Sequence, residues 1–361
     1  MNTERAGISR NFTPWLTRSL VAANVAVFAF MAARGVDMLH PDGVVWMHWG
    51  SNFAPLTVHG QWWRLLSAIF LHFGPLHLLF NMWALWVVGG PVEQLFGRTR
   101  YALVYLLAGL IGGIASVAWN PLVNSAGASG AIFGVIGAQL GFFVRGGHMV
   151  PREVIRRQRN STLAFIAYSI FFGFMSKGID NAAHVGGLVS GFAFGWLLAR
   201  PLGTLARPSR DRMVLLLACL LGAAVIGGGG LLARQRAAAH AAEQAYLRDW
   251  QDFAAREDRV LKGMRQVMGQ AREGKVDDGV VIAWLEGTGV PFYRDAAQHF
   301  AADTLPAGSP LAGDRANVLA TARRRAAALQ LMADGFRDRD RHKLDRALQE
   351  MNATSARPAG K

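Results

Sequence analysis

Ser129 stands in Gly127-Ala128-Ser129-Gly130, at the start of an uncharged run that continues to Val144. A serine among small residues has two readings. It can be a helix-packing contact, since Ser and Gly let membrane helices approach closely, or a nucleophile, which needs a base and stabilising donors nearby. The Gly-x-Ser-x-Gly elbow of soluble hydrolases is absent, because Ala131 occupies the last glycine position. Other uncharged runs hold His72, His77, Asn81 and His184, and polar side chains inside apolar runs are costly enough to suggest function. Neutral imidazole at His184 can accept the Ser129 hydroxyl proton. His77 and Asn81, four apart and so on one helix face, can join the Ser129 backbone N–H in holding an oxyanion, each donor contributing about 2.7 to 4 kcal/mol. For each residue the plainer alternative stands beside this: a packing or headgroup histidine, or an asparagine acting as interhelical glue. Asp180 precedes His184 by four residues, but it falls in a loop, and a Ser-His-Asp triad is set aside.

The elements that carry these residues are apolar. Of 361 residues, 52% are hydrophobic and 17% charged, which is too apolar for an ordinary soluble chain of this length. The two parts differ: up to about Arg234 uncharged runs alternate with basic loops, and beyond it charges come every few residues. The net charge of +14 is explained by a positive-inside bias rather than by nucleic acid, because the basic residues of the first part cluster in loops. The single cysteine, Cys219, excludes an intrachain disulfide or a Cys-based metal site and is expected to be a small buried hydrophobe.

Residues 1–19, with Arg5, Arg10 and Arg18, read as a retained cytoplasmic segment. Spans are expected at Leu20–Ala33, Leu65–Val88, Tyr101–Trp119, Ser129–Val144, Thr162–Met175 and Ala183–Ala199. Gly35–Trp63, aromatic and broken by Gly and Pro, reads as a loop at the membrane interface. The fourth span is short, so either earlier residues join its helix or Ser129 starts a helix below the surface, in a wet pocket. Arg98 and Arg100, the arginines from Arg145 to Arg159, and Arg200 to Arg212 mark cytoplasmic turns. A basic linker and a seventh span, Met213–Leu232, occupy residues 201–234 and place the remainder outside the cytoplasm.

Residues 235–361 read as a polar helical domain. Tyr246, Trp250, Phe253, Val260, Met264 and Met268 recur at helical spacing, and further helices are expected near 316–333 and 341–351. Gly274, Gly287 and Pro291 read as punctuation, and no metal-ligand spacing is visible. A small packing domain is one reading of this tail and a module that binds a protein partner is the other.

The motifs in order are Trp63-Arg64, His77-x-x-x-Asn81, Gly89-Gly90-x-x-Glu93-x-x-x-Gly97, Gly127-Ala128-Ser129-Gly130 and Ala183-His184-x-x-Gly187-x-x-x-Gly191. Over residues 20–200 this set resembles the rhomboid intramembrane serine proteases. The resemblance implies an all-α polytopic membrane protein: a six-helix rhomboid-like bundle, here with a seventh transmembrane helix and a C-terminal helical soluble domain outside the common core. It implies Ser129 as nucleophile and His184 as general base, with His77 and Asn81 stabilising the oxyanion. Gly127 and Gly130 support the serine turn, and Gly187 supports packing against the serine helix. Phe133 matches an aromatic against the histidine, a plain core aromatic being the other reading. Arg64 and Glu93 match structural positions. No cofactor or metal is implied.

The expected function is therefore hydrolysis of peptide bonds in or next to the transmembrane segments of other membrane proteins, within a lipid bilayer such as the bacterial inner membrane. The alternative is a catalytically inactive rhomboid-like module that binds membrane proteins. A transporter with broken helices is disfavoured, since no inverted repeat or charged pathway is visible.

Overall fold

A computed structural model describes residues 12–39, 43–146, 152–175, 179–200 and 208–355. Arg5, Arg10, Ser176, Arg207 and the rest of the 201–207 linker lie outside the described residues. The chain divides into two compact units, Met1–His240 and Ala241–Lys361.

In the first unit, α1 (Trp15–Ala33) leads to α2 (Gly43–Trp49), β1 (Asn52–Phe53), α3 (Ala54–Thr57) and α4 (Arg64–Ser67). The longer helices follow: α5 (Pro75–Phe96), α6 (Arg98–Trp119), α7 (Ser129–Gly146), α8 (Arg152–Met175), α9 (Asn181–Leu198) and α10 (Pro208–Ala238). A two-residue strand, β2 (Asn124–Ser125), pairs antiparallel with β1. Helices α1, α5, α6 and α10 are long and apolar enough to cross a membrane, and α7 is a shorter apolar helix.

The second expected span needs correction. Leu65 to Phe70 forms a short helical turn and a 3-10 turn, and α5 begins only at Pro75. Gly74 adopts φ +98°, and Pro75 occupies the first turn, where its missing N–H costs nothing. His72 therefore lies in the connection before the helix rather than within it. The basic residues from Arg152 to Arg159 belong to α8 itself, and α10 begins at Pro208, ahead of the expected Met213.

Helices α7 and α9 pack backbone to backbone. A side chain at Gly187 would strike the carbonyl of Gly130, one at Gly191 the backbone of Gly134, and one at Gly195 the backbone of Ala138. In lipid there is no hydrophobic gain on association, so such close approach and its dispersion contacts hold the pair. The N-terminus of α1 is closed from a distance. Fully buried Glu93 on α5 accepts from the N–H of Leu16 (3.1 Å) and of Thr17 (2.8 Å) and from Thr17 Oγ1 (2.8 Å), which places a negative charge at a helix start. Arg64 ties the loop after α1 by donating through Nη1 to the carbonyls of Met47 (2.6 Å) and Ser51 (3.0 Å). Asp211 in the first turn of α10 pairs with buried Arg100 on α6 and with Arg200. Cys219, expected to be buried, is exposed: α10 turns Ala218 and Gly222 inward, Gly222 against Leu107 of α6, and leaves its opposite face outside the protein.

The second unit is helical throughout its described elements: α11 (Ala241–Arg272), α12 (Asp278–Trp284), α13 (Val290–Ala302), α14 (Ala312–Asp338) and α15 (Arg341–Ser355). Gly287 and Pro291 do not break the chain as the sequence suggests. Leu285–Gly289 forms a π turn between α12 and α13, and Pro291 sits in the first turn of α13. The core gathers Tyr246, Phe253, Leu285, Tyr293, Phe300, Leu329 and Met332.

Candidate active site

The Gly-Ala-Ser-Gly stretch is positioned by two backbone devices. Gly127 adopts φ +136°, a conformation that costs a residue with Cβ dearly, and its N–H donates to Ala68 O (2.9 Å). Helix α7 then starts at Ser129 itself, with no earlier residue joining it. The first N–H groups of a helix lack intrahelical acceptors, so the donors beside Ser129 remain available. The β1–β2 ribbon, with Asn52 opposite Ser125, leads the chain into this turn.

Ser129, His184, His77 and Asn81 all line one cavity of about 710 Å³ between the helices. His184 lies in the first turn of α9, and its ring stacks on Phe133 of α7 at 4.4 Å between centroids and 7° between planes. Its Nδ1 is buried and has no hydrogen-bond partner. Asp180 is the N-cap of α9, its carboxylate accepting from the N–H of Ala183 (3.0 Å). That is a helix-capping role, and no hydrogen bond joins Asp180 to the His184 ring.

His77 belongs to the first turn of α5. Its Nδ1 accepts from the Phe73 N–H (3.2 Å), which leaves the proton of the neutral ring on Nε2. Nε2 lies 3.0 Å from where a side chain at Gly127 would begin, so the glycine makes room for the ring. Asn81 donates to His77 O (2.9 Å), and its buried Oδ1 has no partner. His72, singled out by its setting, has its Nε2 3.4 Å from the Ala128 N–H and its ring against His77. Gly130 and Ala183 touch, a Gly130 side chain falling 3.4 Å from Ala183 O, so the residues that follow and precede them, His184 and Ser129, are brought to one end of the α7–α9 pair. Glu93 and Arg64 stay outside the cavity lining.

Sequence reasoning did not find Asn52 or the two strands, because two-residue strands have no alternation to read. It also missed Phe165 and Ser169 of α8, which line the same cavity. In the second unit the fold brings together Asp249, His299 and Asp303, with ligand-type atoms within 4.8 Å of one another, a group invisible as sequence spacing. His299 Nε2 lies 3.1 Å from Asp249 Oδ2, the histidine exposed and the aspartate partly so. Burial, followed by the charge of nearby His299 acting the other way, leaves the Asp303 carboxyl above its usual range.

A group of arginines lies at the opposite helix ends. Arg145 at the end of α7 donates to the carbonyls of Trp196 and Leu197 at the end of α9, and Arg100, Arg200 and Asp211 gather where α6 and α10 start. Ser129 and His184 occupy the other ends of α7 and α9.

Comparison with known proteins agrees with this architecture. The family model for the Rhomboid domain matches residues 59–201. The chain is 34% identical to Rhomboid protease GluP of Bacillus subtilis over 67% of this chain and 46% of GluP. It is 33% identical to RHOMBOID-like protein 4 of Arabidopsis thaliana over 53% of this chain and 55% of that one. With Rhomboid protease AarA of Providencia stuartii the identity is 30%, over 49% of this chain and 69% of AarA. The chain spans about half the length of the first two of these relatives. Its apolar helices and this kinship make it an integral multi-pass membrane protein, and the chain belongs to the rhomboid family.

Proposed function

We propose that the protein is an intramembrane serine endopeptidase that cuts peptide bonds in or beside transmembrane segments of other membrane proteins. Ser129 Oγ attacks the scissile carbonyl carbon while His184 takes its proton. The resulting oxyanion is held by His77 Nε2–H, Asn81 and the Ser129 N–H, aided by the α7 dipole. His184 then protonates the leaving amine. Water, deprotonated by His184, attacks the acyl ester, releases the carboxylic acid and restores the serine. Phe133 holds the imidazole plane by stacking. The arrangement is a dyad, consistent with Asp180 being occupied as a helix cap.

The observation that carries this reading is the convergence of side chains from α5, α7 and α9 on one cavity, with Ser129 at a helix start. The clustering of arginines at the far helix ends supports a cytoplasmic N-terminus and a cavity opening to the outer side of a membrane such as the bacterial inner membrane. Because substrate helices must expose their backbone to be cut, helix-breaking or small residues are favoured at the site of cleavage.

In proteoliposomes with a model single-span substrate, Ser129→Ala and His184→Ala are each expected to abolish cleavage while preserving the folded protein. The wild type is expected to be labelled at Ser129 by a fluorophosphonate probe. Undiminished cleavage by purified Ser129→Ala would overturn the assignment, and a folded wild type that neither cleaves nor labels would favour a binding module.

A further inference from the structure

We infer that α10 is a strut that fixes one wall of the cavity, with Arg234 as its positioning residue. Near its C-terminal end α10 leans on the loop that follows α3. Arg234 Nε donates to Val58 O (3.0 Å), and the guanidinium lies over the Trp62 ring at 5.9 Å. Val58 is the C-cap of α3, so the arginine supplies a charged donor to a carbonyl at a helix end, where intrahelical donors run out. Ala233 and Ala237 pack with Ala54, Val58 and Val117 in a small core of their own. The missing side chain of Gly230 lets Trp62 approach, to 3.3 Å from where a Cβ would stand.

From this latch a run of bonded groups reaches the serine turn. Thr57 Oγ1, one residue before Val58, donates to Asn52 Oδ1 (2.9 Å), and Asn52 Nδ2 donates to Gly113 O on α6 (2.8 Å). Asn52 pairs with Ser125 across the ribbon, two residues before Gly127 and four before Ser129. Asn52, Ser125 and Gly127 all face the cavity. The latch thus holds α3, α3 holds β1, and β1 holds the strand that delivers the nucleophile and its backbone donors. A shift of about 1 Å in such a segment is enough to cost large factors in rate.

The catalytic part of this inference rests on the proteolytic reading above; the mechanical part does not. Two measurements on the full-length protein in liposomes separate them. Amide hydrogen exchange on Arg234→Ala is expected to be about tenfold faster than wild type across 52–58 and 124–127, with the middle of α7 and α9 unchanged. Turnover per serine titrated by the fluorophosphonate is expected to fall about tenfold with KM nearly constant, and Arg234→Lys, which keeps a cationic donor, is expected to recover part of both. A purely stabilising role would lower the number of titratable serines and leave turnover per serine unchanged, which would sink the positioning claim. Exchange in both variants indistinguishable from wild type across the two segments would sink the strut. If the wild type neither labels nor cleaves, the proteolytic reading fails and the exchange comparison still decides the strut.

Discussion

Both units of the chain bury large apolar side chains, but they expose opposite things. In the membrane unit Glu93, Arg100, His72 and Asn81 are inside, while Trp83, Trp86, Phe80 and Leu220 face outward. In the C-terminal unit Phe253, Tyr293, Phe300, Leu329 and Met332 are inside, and the outward faces of its helices carry arginine, lysine and acidic residues. The difference follows from what surrounds each unit. Lipid tails offer leucine no reason to hide, so the membrane helices are joined by close backbone approach and by polar groups that find partners inside. The C-terminal unit is built as water demands, from large apolar side chains removed from solvent. The site exploits the first arrangement: its cavity exists among helices whose glycines already permit close approach, with polar groups inside.

The comparison is tested most severely at Gly191. Any Cβ there meets backbone atoms of Gly134 rather than a side chain that could turn aside. Gly191→Val should therefore force α7 and α9 apart and cost about 4 kcal/mol or more. Thermal unfolding in detergent and fluorophosphonate labelling should both collapse. A variant that unfolds at the wild-type temperature would show that this helix pair is not held by close approach. By contrast Gly227, Gly228 and Gly269 have nothing within 4 Å of an added Cβ, so glycine count alone does not mark the seam.

A smaller effect is expected where the C-terminal unit departs from its own pattern. Arg325 is a buried cation that meets Glu257 and donates to Tyr293 OH (3.2 Å). Burial would lower the arginine's pKa, but the charge of Glu257 and the contacts with Tyr293 raise it overall. Removing one partner leaves the other charge without compensation in a largely buried setting. Arg325→Ala should destabilise the C-terminal unit by about 3 kcal/mol, read as an earlier unfolding transition of that unit by amide exchange, while fluorophosphonate labelling of Ser129 stays at the wild-type level. An unchanged transition would mean that the pair is replaceable by packing alone.

How much of this was legible follows the same division. Long apolar helices could be read because basic residues cluster between apolar runs, and the polar side chains that line the cavity could be picked out because polar residues in apolar runs are few enough to stand out. The start of α5 could not, since the apolar turns from Leu65 to Phe70 look like membrane helix until Gly74 adopts its positive φ. Asp180 could be separated from His184 only by seeing which N–H it caps. Arg234 and Val58 are 176 residues apart, and no local pattern links them. In the C-terminal unit the helix periodicity of α11 was visible, but Pro291 reads as a break until it is seen to occupy a first helical turn. Cys219 was misjudged because an apolar run implies burial only in water. In α10 the apolar face is the one left outside.

A leucine-to-arginine change gives the sharpest form of the comparison, because one substitution can be made in both settings. Leu220, near the middle of α10, is 58% exposed, and Leu348 on α15 is 41% exposed. By accessibility alone the two are alike. If α10 lies in hydrocarbon, Leu220→Arg must place a charge there at a cost of about 2.5 to 3.5 kcal/mol, visible as poorer membrane insertion and a lower folded yield. Leu348→Arg faces water three residues after Asp345, so it should change unfolding of the C-terminal unit by no more than about 0.5 kcal/mol. Equal, small effects at both positions would place α10 in an aqueous setting and remove the physical basis for reading its outward leucines as a lipid-facing surface.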